Sequence, residues 1–344
     1  MTNRSNIKRD NSKSLNNQKN NEIAFSPDSL DVIMQDVLAL LNIQVSYKER
    51  ISQINNLMKN KDKNYSELNL TVMSSTLKYE KNSYIITPYG LNNSKRNSKD
   101  GIVLFGYEKK NIKKKNENIN ADNNIYSNDN STNNLKNNLI YNESDFTNTF
   151  YLNDFVFPIE EKDESNSLYE FPNFAIFYNT IDKNFYIKDF NTGVGALMKI
   201  KKIKMELNTL INIGTNYLVL YINENMITFK IFNNTTISEG KGTEENIGQN
   251  YVTKEYKVKE DEDCIITIGR SQKCDIIIED MMLSKIQAFI EYNSKSKKFY
   301  LNDGDGTKES TNGTWVFILN ATKITNNFMF KAEHTLFLAT LDNN

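Results

Sequence analysis

From residue 68 to its C-terminus this chain is written almost entirely in short strand-forming runs. LTVM, SYIITP, IVLFG, DFVF, FAIFY, FYIKDF, INIGTNYLVLYI and MITFKIF come first; CIITIGR, CDIII, AFIEY, KFYLND, TWVFIL and TLFLA follow. They are rich in Ile, Phe and Tyr, whose shapes suit a pleated, half-buried surface. Asn, Asp, Ser and Gly bound them, and these residues end strands and make turns. Helical periodicity does not return after residue 68. The grammar predicts an all-β protein of antiparallel sandwiches.

Composition sets limits on function. The 344 residues leave room for two domains of ordinary size. The 42 Lys+Arg against 43 Asp+Glu argue against gripping nucleic acid through bulk charge. Two Cys and one His cannot make a four-ligand zinc site, so zinc fingers are excluded and no metal is expected. Cys264 and Cys274 read as reduced thiols of an intracellular protein, nuclear or cytoplasmic. The apolar runs are too short for a membrane span, and the N-terminus lacks the apolar core of a secretory signal.

Asparagine organises the chain. There are 54 of them, a polar amide that cannot drive burial. Residues 1–25 are an Asn-rich basic tail, expected to be disordered. A helical segment follows over 26–63. Ser26 caps it, Pro27 opens it, and Leu30, Ile33, Met34, Val37, Leu38 and Leu41 make one stripe. A second stripe holds Ile51, Ile54, Leu57 and Met58. Such a pair serves either to bind a partner or to pack on its own neighbouring domain, and the second is favoured because the heptad fails at Gln44 and Lys48. One domain is expected over 68–222, interrupted at 109–148 by a low-complexity insertion; 12 of the 28 residues from 111 to 138 are Asn. Lys113-Lys114-Lys115 within it reads as a solvated loop. A second domain is expected over 223–344. The Gly240-Lys241-Gly242 stretch lacks the spacing and Ser/Thr of a phosphate loop.

The informative stretch is 264–315. A strand ends in Gly269-Arg270; the loop Asp280–Ala288 carries Ser284-Lys285-Ile286-Gln287; and Ser310-Thr311-Asn312-Gly313-Thr314-Trp315 follows the strand 298–303. In this order and spacing they resemble the forkhead-associated (FHA) domain, with its Gly-Arg, Ser-x-x-His and Asn-Gly-Thr in strand-joining loops. The resemblance covers about 225–341 and implies a β-sandwich that binds phosphothreonine peptides.

It implies roles residue by residue. Arg270 would offer a planar fork to two phosphate oxygens, Ser284 a hydroxyl donor and Lys285 a second positive charge. Thr311 would contact phosphate or peptide, and the Asn312 amide would hold the peptide backbone. Gly269, Gln287, Gly313 and Thr314 would shape the loops. Gln287 stands where the family has histidine, and about four extra residues lengthen the loop before Ser310. The usual Gly-Asp turn near the C-terminus is Lys331-Ala332-Glu333-His334 here, with His334 expected to pack beside it.

Residues 68–222 resemble a second, degenerate copy. Tyr107, Phe171 and Val194 stand where arginine, serine and asparagine would be. That copy is expected to support the second rather than to bind phosphate. The expected protein is thus a tandem of FHA-like sandwiches acting as a phosphothreonine-peptide adaptor, without cofactor, metal or membrane. The alternative is a phosphate-independent scaffold. With no kinase signature and no Gly-rich nucleotide loop, it is not expected to be an enzyme.

Overall fold

The computed structural model describes residues 27–59, 65–79, 81–94, 96, 99–107, 153–158, 172–192, 195–232 and 251–342. The N-terminal tail, Ser26, the Asn-rich insertion, Gly240-Lys241-Gly242, Phe171 and Val194 lie outside the described residues. Among the described residues the protein is all-β apart from two helices, α1 (Pro27–Leu40) and α2 (Tyr47–Lys59).

The first eleven strands are β1 (Glu67–Ser75), β2 (Ser83–Thr87), β3 (Gly90–Leu91), β4 (Ile102–Gly106), β5 (Phe155–Val156), β6 (Phe174–Asn179), β7 (Asn184–Asp189), β8 (Leu197–Ile200), β9 (Lys202–Lys204), β10 (Asn208–Ile213) and β11 (Asn216–Asn223). The rest are β12 (Met226–Phe232), β13 (Tyr251–Lys257), β14 (Cys264–Gly269), β15 (Ile276–Ile277), β16 (Ala288–Asn293), β17 (Lys298–Asp303), β18 (Thr314–Phe317), β19 (Thr322–Lys323), β20 (Phe328–Ala332) and β21 (Thr335–Asp342).

They form three sheets. One has eleven strands in the order β13-β12-β11-β10-β18-β8-β20-β21-β1-β2-β3. The others have five each, β15-β14-β16-β17-β9 and β5-β4-β6-β7-β19. Each small sheet packs on half of the long one. Phe155 and Phe157 meet Phe337, and Phe174 meets Phe330, at ring distances of 5.8, 6.5 and 5.8 Å. In the other half, Ile268, Ile290 and Leu301 share a buried cluster with Ile211, Leu218 and Phe229.

The boundary expected between 222 and 223 does not divide these sandwiches. The sandwich bearing the motifs is β9–β18, residues 202–317. The other takes β1–β8 from the first half of the chain and β19–β21 from its end. The long sheet is accordingly palindromic about β18–β8, where Met198 pairs with Val316. The physical cause at the first crossing is chain length. Only Lys201 separates β8 from β9, and a hairpin needs at least two loop residues. So β8 cannot turn back, and β9 pairs with β17 of the other sandwich (Leu301 with Ile203). The second crossing is made by residues 318–321, which carry the chain from β18 to β19, and β19 pairs with β7 (Thr322 with Ile187). β21 then pairs with β1 over eight positions.

The helix pair packs on its own fold, as favoured. Met34, Val37, Leu38 and Leu41 lie with Ile102, Leu104, Ala175 and Phe177 on the outer face of the β4–β7 sheet. β4 is therefore buried at all five positions rather than at alternate ones. α2 opens on a cap, the Glu49 amide donating to Ser46 Oγ at 3.2 Å.

Candidate functional site

Three loops of the β9–β18 sandwich carry the motif residues: β14–β15, β15–β16 and β17–β18. Gly269 ends β14 because nothing larger fits: a Cβ there would lie 2.3 Å from the Lys285 carbonyl oxygen. That close approach lets the Arg270 and Ser271 amides donate to the carbonyls of Ser284 and Lys285, at 3.3 and 3.1 Å. Arg270 is exposed, and its Nε donates to the Leu283 carbonyl at 2.7 Å. This fixes the guanidinium over the Ser284 loop. Among the described residues, its two terminal nitrogens have no partner, so the fork is available.

Ser284 and Thr311 come from different loops and are joined. The Thr311 amide donates to Ser284 Oγ at 3.0 Å, and Ser284 Oγ donates to Thr311 Oγ1 at 3.3 Å. Asn312 Nδ2 donates to the Met282 carbonyl at 2.6 Å, and its own carbonyl accepts from Trp315 Nε1 at 3.0 Å. Lys285 is exposed beside them. The structure thus brings Arg270, Ser284, Lys285, Thr311 and Asn312 to one loop cluster at one end of the sandwich.

Beneath the cluster sits Gln287, fully buried. Its Oε1 accepts from the Ser284 amide at 3.1 Å, while Nε2 donates to Ser310 Oγ at 2.7 Å and the Gly313 carbonyl at 2.9 Å. One amide side chain, acceptor at one end and donor at the other, thereby ties both loops together. Asp303 continues the network, its Oδ1 accepting from Ser310 Oγ and Thr314 Oγ1 at 2.6 and 2.7 Å. Gly313 makes the turn at φ 74°, where a side chain is strained and would meet Lys199.

Gln287→Leu removes both ends of that tie and leaves the Ser284 amide and the Gly313 carbonyl without partners. The expected cost is about 2–6 kcal/mol of unfolding free energy, from about 1–3 kcal/mol for each of the two unmatched groups. Gln287→His, which keeps one ring donor and one acceptor, should recover part of it. Urea denaturation of the two variants decides the matter; equal midpoints for wild type and Gln287→Leu would refute the bracing role.

Sequence reasoning missed the supports that come from the first half of the chain. Asp280 Oδ2 accepts from the Thr215 amide, Thr215 Oγ1 and Asn216 Nδ2, each at 2.9 Å. Burial pushes that carboxyl up, but these donors outweigh it and hold it below its ordinary value. The clamp fastens the Ser284 loop to the β10–β11 turn. The Thr311 loop is held by the link between β8 and β9, where Glu309 pairs with Lys201 at 2.8 Å and Lys199 at 3.6 Å. The Asp303 amide also donates to the Lys201 carbonyl at 2.9 Å. Asp280 signalled a local turn, but nothing in the sequence pointed to Thr215, 65 residues earlier. The added loop is ordered by Asp305, whose Oδ1 accepts from Thr307 Oγ1 at 2.6 Å and from the amides of Thr307 and Lys308 at 2.9 and 3.0 Å. His334 is exposed rather than packed.

Residues 266–334 match the family model of the FHA domain. FHA domains are in general phosphopeptide-binding protein-interaction modules. The match begins in β14 and runs past β18 into β19 and β20, the strands that close the other sandwich. Comparisons with curated proteins and with solved structures find no match. No cluster of three or more potential metal ligands occurs among the described residues, and none of their helices is long and apolar enough to cross a membrane.

Proposed function

We propose that this protein is an adaptor that binds phosphothreonine peptides through the loops of its FHA domain. The observation that carries this reading is the convergence, from three neighbouring loops, of an Arg270 fork without a partner among the described residues, the linked hydroxyls of Ser284 and Thr311, and the Lys285 charge. A phosphate dianion needs several donors and positive charge in fixed places, and a rigid sandwich can present them on loops. Charge-assisted bonds contribute about 1.5–3 kcal/mol each, so three or four support micromolar binding after ordering costs. Asn312, on the same loop, would hold the peptide backbone. The site binds and does not turn over substrate.

The first sandwich is a support in this reading. Tyr107 stands at the arginine position, and its hydroxyl donates to Glu333 Oε2 at 2.6 Å. Glu333 is buried in the β20–β21 turn and also accepts from Asn173 Nδ2 at 2.7 Å. A buried carboxylate there repels a dianion, so one phosphopeptide is expected per chain.

Arg270→Ala should weaken phosphopeptide binding at least ~10-fold, because the bound dianion loses a bidentate charge pair. Arg270→Lys should recover only part, since a point charge does not reproduce the fork. Calorimetry with matched phosphorylated and unphosphorylated peptides reads both effects. Equal affinity for wild type and Arg270→Ala, or for the two peptides, would leave the phosphate-independent scaffold as the better account.

A further inference from the structure

We infer that the phosphothreonine site extends onto the outward face of the long sheet, where Lys199 and Lys331 select ligands with acidic residues beside the phosphothreonine. The inference rests on the phosphopeptide reading and adds a preference to it.

The extension begins at Asn312. Its carbonyl accepts from Trp315 Nε1, so the Asn312 loop is tied to a ring on β18. Trp315 pairs across the ladder with Lys199 of β8, a strand from the first half of the chain. A Cβ on Gly313 would lie 2.7 Å from Lys199 Cε, so the lysine stem lies along the loop itself. Over the indole ring, Lys331 Nζ from β20 stands 4.7 Å from the ring centroid and also donates to Asn212 Oδ1. Burial pulls that ammonium down to about 8, so it still carries its charge near pH 7, and an approaching carboxylate would favour the charged form further.

Register identifies which side chains share this face. Val316, Met198, Ile211 and Phe330 point into the core, so their ladder neighbours point outward. Those outward positions on β8, β10, β18 and β20 hold no carboxylate, so the face next to Asn312 is cationic and aromatic. Glu309 pairs with Lys199 and Lys201 from the loop before Ser310, holding these lysines with a carboxylate where a ligand's acid would lie. An extended peptide rises about 3.3 Å per residue, so residues a few positions from the phosphothreonine would cross this surface. Charge complementarity then favours acidic ones.

The test measures full-length protein against three phosphothreonine peptides: one with neutral flanks, one with Asp and Glu before the phosphothreonine, one with them after. One acidic peptide should bind about 5-fold tighter than the neutral one, the scale of a few rim charges. That ratio should fall to near one in Lys199→Gln combined with Lys331→Gln and rise in Glu309→Gln. Lys199→Gln alone, which leaves the Lys331–Trp315 contact in place, should lower the ratio if the double variant melts early. A neutral peptide that binds phosphate-dependently with no acidic advantage, or an advantage unchanged in Lys199→Gln and in the double variant, would overturn the extension and leave the proposed function standing. Failure of every phosphopeptide would remove both.

Discussion

Residues 223–344 expressed alone should not fold, although they contain every motif residue. This fragment lacks β9, β10 and β11. It thereby loses Ile211, Ile213, Leu218 and Leu220, each no more than 1 % exposed. Burial of such side chains contributes about 1.5–3 kcal/mol apiece, so roughly 6–12 kcal/mol disappears. A domain's whole stability is about 5–15 kcal/mol. The fragment also loses Thr215 and Asn216, which clamp Asp280 under the Ser284 loop. Its own last strands cannot substitute, because residues 318–321 lead away to β7.

Residues 202–317, by contrast, hold every strand of that sandwich and should unfold cooperatively. Co-expression of 1–222 with 223–344 should yield a folded heterodimer, since the missing strands are then supplied in trans. Circular dichroism and amide NMR dispersion read all three outcomes. A cooperatively folded 223–344 that binds phosphopeptide would show that each half of the chain closes on itself.

Arg96→Met should cost about 3–5 kcal/mol, the range for leaving buried charges without their partner. Arg96 bonds Asp100 Oδ2 at 2.7 Å and Asp154 Oδ2 at 2.8 Å, and all three side chains are at most 2 % exposed. Nη2 also donates to the Ile102 carbonyl at 2.7 Å. The carboxylates are positioned in turn: Asp100 accepts from Tyr47 Oη at 2.9 Å and Asp154 from the Leu104 amide at 2.9 Å. The group therefore pins α2 and β4 to the same loop.

Burial opposes ionisation throughout. At Asp100 the guanidinium outweighs it and holds the carboxyl below its ordinary value; at Asp154 burial prevails and the carboxyl lies above it. Without Arg96 both native carboxyls should rise above their unfolded values. A raised native carboxyl gives stability that is present at low pH and lost as pH climbs, so the variant's deficit should shrink as pH falls from about 7 to about 5. Urea midpoints across that range test the size and the sign. A loss below about 1 kcal/mol would mean the charges are solvated rather than buried.

Local rules made the strand content, the helix pair and the motif residues legible. Strand runs need only β-branched and aromatic residues between turn formers, and CIITIGR, KFYLND and TWVFIL met that condition where β14, β17 and β18 form. The stripe from Met34 to Leu41 showed that α1 has one apolar face, and burial of Met34, Val37 and Leu38 follows from it. Arg270, Ser284 and Asn312 lie in strand-joining loops, with Gly269 at the end of β14, because loop chemistry is written in a few adjacent residues. The strand β13, YVTKEYK, was harder to see: an edge strand with four exposed polar or apolar positions carries little hydrophobic pattern.

Which strands close which sandwich was decided only in three dimensions. INIGTNYLVLYI reads as a closing hairpin wherever it is used, since its alternation serves either sandwich equally. The choice lies in Lys201, a link too short to reverse the chain, in residues 318–321, which cross to β7, and in the Met198–Val316 pairing beside them. So the supports of the candidate site, Thr215, Lys199 and Lys201, arrive from the first half of the sequence. Side-chain chemistry is local and can be read along the chain; strand partnership depends on where the backbone is able to go, and only the folded protein shows that.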